Sequence, residues 1–103
     1  MHSLRRLYQK HISPLTDQYP ELIIERASGI YLYGENQRYI DLISGISVSS
    51  LGHAHPKIVR AIQEQAEKAL HLMVYGELIH APQVYLAEKL LSLMPSHLNS
   101  AIS

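Results

Sequence analysis

The sequence predicts an α+β fold: a short N-terminal helix, a small antiparallel sheet of about three strands, then two helices. Three observations carry this expectation. Apolar residues recur at helical spacing near the N-terminus and again in the second half, and between them, from Leu22 to Ile43, the period drops to two. The composition, 47% hydrophobic and 17% charged over 103 residues, is that of a globular chain. That length makes one small domain or a piece of a larger one.

The first helix runs from Ser3 to Ile12, with Leu4, Leu7, Tyr8 and Ile12 on one face and Ser3 as N-cap. Pro14 and Pro20 make "SPLTDQYP" an irregular connector. "LIIERASG", "IYLYG" and "RYIDLI" follow as strands, bounded by Gly29 and the turn cluster "GENQ". The last two form a hairpin in which Gly34 and Asn36 supply backbone freedom. Alternation puts Ile30 and Leu32 on one face, Tyr31 and Tyr33 on the other.

"ISGISVSSLGH" is built of small residues, which make a flexible connector or let a backbone or ligand come close. A helix then spans Pro56 to Leu72, because proline suits the first turn and Ile58, Ile62, Gln65 or Ala66, and Ala69 mark one face. A last helix starts near Pro82 and ends at Pro95. Its stripe of Val84, Leu86, Ala87, Leu90, Leu91, Leu93 and Met94 is too broad for a free surface helix.

Composition removes several function classes. Nine basic and nine acidic residues leave no net charge, so no basic field is present to hold nucleic acid. No apolar run approaches a membrane span, and the N-terminal stretch lacks the apolar core of a secretory signal. The absence of cysteine removes disulfides and thiolate chemistry and fits a cytoplasmic protein.

The histidines of "GHAHP" are the obvious candidates for chemistry. An H-x-H pair on an extended segment points both rings the same way, and imidazole suits zinc. Such a site needs further ligands, and although His71 and His80 are available, no H-E-x-x-H helix or carboxylate cluster accompanies them. The preferred reading places His55 at the N-cap of the following helix and makes His53 a turn or packing residue. A small histidine-dependent metal-binding or protein-interaction module remains the alternative. No nucleophile elbow or phosphate-binding glycine loop is present. Of the four lysines, Lys10, Lys57, Lys68 and Lys89, the last three lie on predicted helices among charged neighbours. No residue is assigned a catalytic, cofactor-binding or metal-binding role on this basis.

Read together, Gly29, Tyr39-Ile40-Asp41, Gly52-His53-Ala54-His55-Pro56, Ala61-Ile62-Gln63-Glu64-Gln65 and Leu86-Ala87-Glu88-Lys89-Leu90 occur in a familiar order. From Gly29 to Pro95 the chain resembles the N-terminal region of class-III aminotransferases. These are pyridoxal-phosphate enzymes of fold-type I architecture. They include acetylornithine, ornithine, 4-aminobutyrate and diaminopelargonate aminotransferases. "HLMVYGE…HAPQ" is most like a bacterial subgroup loosely called aspartate-aminotransferase-like.

The resemblance implies transfer of an amino group between an amino acid or amine and a 2-oxo acid, with pyridoxal 5'-phosphate as cofactor, in a cytoplasmic homodimer. It implies a substrate-side role for Ile46, and for Tyr75 or Gly76. It divides the chain into 1–21 (helix and connector), 22–51 (sheet and substrate-side loop) and 52–103 (helical segment leading toward a large cofactor-binding domain). The family's phosphate loop, its pyridine-nitrogen aspartate and its Schiff-base lysine have no match here, so the expectation is an N-terminal fragment, inactive alone.

Overall fold

The structure, a computed structural model, describes residues 2–18, 20–73 and 76–101. In order, the elements are α1 (His2–His11), β1 (Arg26–Ser28), β2 (Tyr31–Gly34), β3 (Gln37–Ile40), α2 (Ser44–Ser47), α3 (Pro56–Lys68) and α4 (Ala81–Ser92). The chain falls into two units, Met1–Gln63 and Glu64–Ser103.

In the first unit α1 begins at His2, so Ser3 is a helical residue and not the cap. Leu4, Leu7, Tyr8 and Ile12 share a face as their spacing requires, and with Leu22 and Ile24 they line a groove of about 500 Å³. Arg5 ties this helix to the sheet. Its Nη2 donates to the Glu21 carbonyl at 2.6 Å and to Glu35 Oε1, at the hairpin tip, at 2.9 Å.

The three strands pair antiparallel in the order β1-β2-β3. Tyr33 lies opposite Arg26 on one side and Arg38 on the other. The tyrosines do share a face: the rings of Tyr31 and Tyr33 lie 6.4 Å apart, with the Arg38 and Arg26 guanidinium groups over them at 4.4 and 3.6 Å. Ala27, Leu32 and Tyr39 form the opposite, half-buried face.

β1 is shorter than its alternation predicts: only Arg26–Ser28 pair with β2, and the chain ahead of them passes close to Gly34 at Ile23 and Ile24. A Cβ on Gly34 would stand 1.9 Å from the Ile23 carbonyl oxygen. Gly34 is therefore needed for close approach, and the bend itself is made elsewhere. Glu35 (φ 51°) and Asn36 (φ 62°) both take the left-handed conformation between the paired Gly34 and Gln37, which is the two-residue type I′ hairpin turn.

α3 opens at Pro56 as predicted but stops at Lys68, short of Leu72. In the second unit, Gln65 Nε2 donates to the Ala69 carbonyl at 2.8 Å, and that side-chain bond stands where a continued helix would place a backbone amide. α4 has Pro82 in its first turn and ends at Ser92, before Pro95. There the amides of Leu93 and Met94 fall back to the carbonyls of Leu90 and Leu91, tightening the last turn. Its apolar stripe is uncovered: Leu86 is 59% and Leu93 70% exposed. No helix among the described residues is long and apolar enough to cross a membrane.

Candidate functional site

The small-residue segment after β3 is an ordered, unusual turn. Ser44 (φ 55°), Gly45 (58°), Ile46 (63°) and Ser47 (63°) are all left-handed, so α2 is one turn of left-handed helix. The amide of Ser47 donates to the Ile43 carbonyl at 3.1 Å and that of Val48 to the Ser44 carbonyl at 2.8 Å. For non-glycine residues this conformation costs about 1–2 kcal/mol each, and β-branched Ile46 is the least suited of the four. The side chain of Ile46 projects into the open, 85% exposed.

Asp41 lies at the base of this turn. It leaves β3 with its amide bonded to the Ile30 carbonyl at 2.8 Å, and Oδ1 accepts the amides of Ile43 and Ser44, both at 2.9 Å. Successive amides on a right-handed then left-handed pair form a concavity suited to an anion, and here the protein's own carboxylate fills it. The other oxygen, Oδ2, accepts His53 Nε2–H at 2.5 Å, with the Asp41 side chain only 10% exposed. Because an ionised carboxylate can only accept, this bond fixes the proton of His53 on Nε2. The His53 bond, followed by the Ser44 and Ile43 amides, holds the Asp41 carboxyl below the usual 3.8.

His53 is itself held by backbone. It exchanges two hydrogen bonds with Gly29, at 3.0 and 2.8 Å. The two chain segments meet closely here, and a Cβ on Gly52 (φ 86°) would stand 3.2 Å from the Gly29 Cα. Of the two glycines in this small-residue segment, Gly52 is the one that admits a backbone, since a Cβ on Gly45 would meet only the Val48 Cβ, at 3.9 Å.

The two histidines do not act as a pair. Ala54 between them is left-handed (φ 52°), so the segment is not extended and the side-by-side arrangement expected of H-x-H fails. His55 Nδ1 instead accepts the Lys57 amide at 3.2 Å and caps α3, as its place before Pro56 predicts. Among the described residues, no three His, Cys, Asp or Glu side chains gather as metal ligands. In the second unit, His80 Nε2 is 3.3 Å from Gln65 Nε2, which joins the end of α3 to the start of α4. Sequence reading missed the Asp41–His53 couple, because the partners are 12 positions apart and no local pattern links them. The only available signal was a carboxylate just ahead of a small-residue run, where Asp readily bonds nearby amides.

Of the substrate-side residues, Ile46 is on the left-handed turn of the first unit. Gly76 lies in the second, exposed at φ 70° with nothing within 4 Å of a Cβ placed there. Tyr75 lies outside the described residues. Pyridoxal phosphate, which the resemblance implies, needs a buried lysine, an anion cradle and a carboxylate for its ring nitrogen. Lys10, Lys57, Lys68 and Lys89 are all exposed, while the amides of Ile43 and Ser44 and the carboxylate of Asp41 are committed to each other. The described residues do not form a site for that cofactor.

Comparison with known proteins gives a consistent picture. The profile of the family "Aminotransferase class-III" matches residues 12–102. The acetylornithine aminotransferase of Aquifex aeolicus is 48% identical over 61 residues, covering 56% of this chain and 16% of that protein. That of Methanocaldococcus jannaschii is 35% identical over 89 residues, 84% of this chain and 21% of its own length. Among solved structures, adenosylmethionine-8-amino-7-oxononanoate aminotransferase from M. jannaschii superposes with a TM-score of 0.84 at 32% identity, over 96% of this chain and 24% of that one. An acetylornithine aminotransferase from Elizabethkingia anophelis gives 0.75 at 30% identity, over 89% and 22%. The chain thus spans about a sixth to a quarter of the length of these relatives.

Proposed function

We propose that this chain, which belongs to the class-III aminotransferase family, provides the substrate-side region of an enzyme that moves an amino group from an amino acid or amine to a 2-oxo acid. The observation that carries this reading is the exposed, rigidly bonded Ile46 turn, within the segment matched to aminotransferases. Pyridoxal phosphate, when bound by such an enzyme, acts as the electron sink of the reaction. The residues of this chain contribute something different, an apolar side chain at Ile46 beside which a substrate side chain packs. A substrate-side role is proposed for Tyr75 or Gly76 as well. The divisions 1–21, 22–51 and 52–103 are proposed as functional segments, the middle one holding the sheet and the Ile46 loop.

The isolated 103 residues are proposed to be inactive, since their lysines are exposed and their cradle is filled. A cytoplasmic homodimer is the setting proposed, supported by the absence of cysteine and by the uncovered stripe of α4. Mixing the purified chain with pyridoxal phosphate and borohydride tests the inactivity. Only slow, scattered lysine modification is expected, and stoichiometric attachment to one lysine would contradict it. Elemental analysis of the same sample addresses the histidine–metal alternative, which a stoichiometric metal would favour.

A further inference from the structure

A left-handed turn containing two serines and an isoleucine does not persist by local preference, so something outside the turn must hold it. Three bonds converge on one group to do so. Asp41 Oδ1 accepts the amides of Ile43 and Ser44, which fixes the entry of the turn, and Oδ2 is locked by His53 Nε2. His53 is in turn anchored through its backbone to Gly29, beside the sheet. The carboxylate thus connects the end of β3, the turn and the "GHAHP" segment, none of which is adjacent in sequence to all the others.

We propose that Asp41 and His53 are positioning residues that hold Ser44–Ser47 left-handed and thereby set the direction in which Ile46 is presented. The functional consequence rests on the substrate-side reading given above, whereas the conformational role does not. His53 orients the carboxylate, the carboxylate orients the amides, and the amides orient the turn. Removing either side chain releases the turn to right-handed or extended backbone and leaves Ile46 without a fixed direction.

Nuclear magnetic resonance on the labelled 103-residue chain tests this. Left-handed residues bring their own amide and α protons unusually close, so strong intraresidue cross-peaks are expected at Ser44, Ile46 and Ser47. Asp41→Ala and His53→Ala should abolish these, while Asp41→Asn, which keeps an oxygen facing the two amides, should retain them. Ile46→Gly removes the conformational penalty at the least tolerant position, so it should restore the cross-peaks of Ser44 and Ser47 in the Asp41→Ala background. A purely structural role for Asp41 predicts no such rescue.

The proposal is overturned if the unsubstituted chain lacks the cross-peaks, if Asp41→Ala keeps them, or if the double variant fails to recover them. Should Asp41→Ala alone not fold, the double variant still decides, because the proposal requires it to regain the turn. Failure of the substrate-side reading looks different. It would leave every cross-peak as expected while changes at Ile46 have no effect on substrate choice.

Discussion

Asp41 is a carboxylate whose ionised form is stabilised by donors present only in the folded chain, first His53 Nε2–H and then two amides. Its native pKa is lowered, so its contribution to stability is present above the ordinary value near 3.8 and is lost as pH falls through the depressed native value. Acid titration followed by circular dichroism should show this loss below that range, and Asp41→Asn should flatten this part of the profile. An unchanged acid limb in Asp41→Asn would contradict the assignment. Gly34 gives a second prediction at this scale. Alanine there would meet the Ile23 carbonyl, which is backbone and cannot rotate away. Gly34→Ala is expected to cost about 3 kcal/mol in urea unfolding, toward the upper end of overpacking penalties. Neither residue's role was legible in advance. Gly34 sits in a turn cluster that invites a conformational explanation, and the partner of Asp41 is 12 positions away.

The starts of α3 and α4 were legible, and so was the stop of α4 ahead of Pro95, but the end of α3 was not. Pro56 and Pro82 announce first turns by chemistry local to the chain. The ends depend on which group captures the last free carbonyls. Gln65 captures that of Ala69, while those of Leu90 and Leu91 are met by the amides of Leu93 and Met94. Periodicity, which counts only apolar spacing, carries α3 on to Leu72. The cap on α3 was foreseen from His55 preceding Pro56, and it makes a clear prediction. His55→Ala should cost about 1 kcal/mol, while His55→Ser or His55→Asn should restore most of it, because each returns an acceptor to the Lys57 amide. Helical circular dichroism against urea measures both. Equal losses in all three variants would mean that the ring contributes through packing and not as a cap. The hairpin shows the same balance of legibility. Its position was evident from "GENQ", but its turn is made by Glu35 and Asn36, with Glu35 held by Arg5 from 30 positions away.

At the scale of the molecule, no described residue is a fully buried hydrophobic side chain, and apolar residues remain open on α4 and around Ile46. The breadth of the α4 stripe was visible in the sequence, and so was the family, since motifs from Gly29 to Leu90 survive as an ordered string. Local residue patterns could not reveal that the loop between β3 and α3 is a left-handed turn held by one carboxylate, because that conformation opposes the preferences of three of its four residues. We propose for this region the presentation of Ile46, and not the holding of a cofactor. The most direct measurement uses a chimera in which this chain replaces the superposed segment of the acetylornithine aminotransferase from Elizabethkingia anophelis, a superposition that covers 89% of it. Ile46→Ala in that chimera should change the ratio of kcat/KM between a long and a short amino donor by about tenfold or more, since a few methylenes of apolar contact are at stake. The visible absorbance of bound cofactor should stay the same. A ratio that does not move, or a loss of bound cofactor alongside it, would contradict the claim that Ile46 faces the substrate and that cofactor binding lies elsewhere.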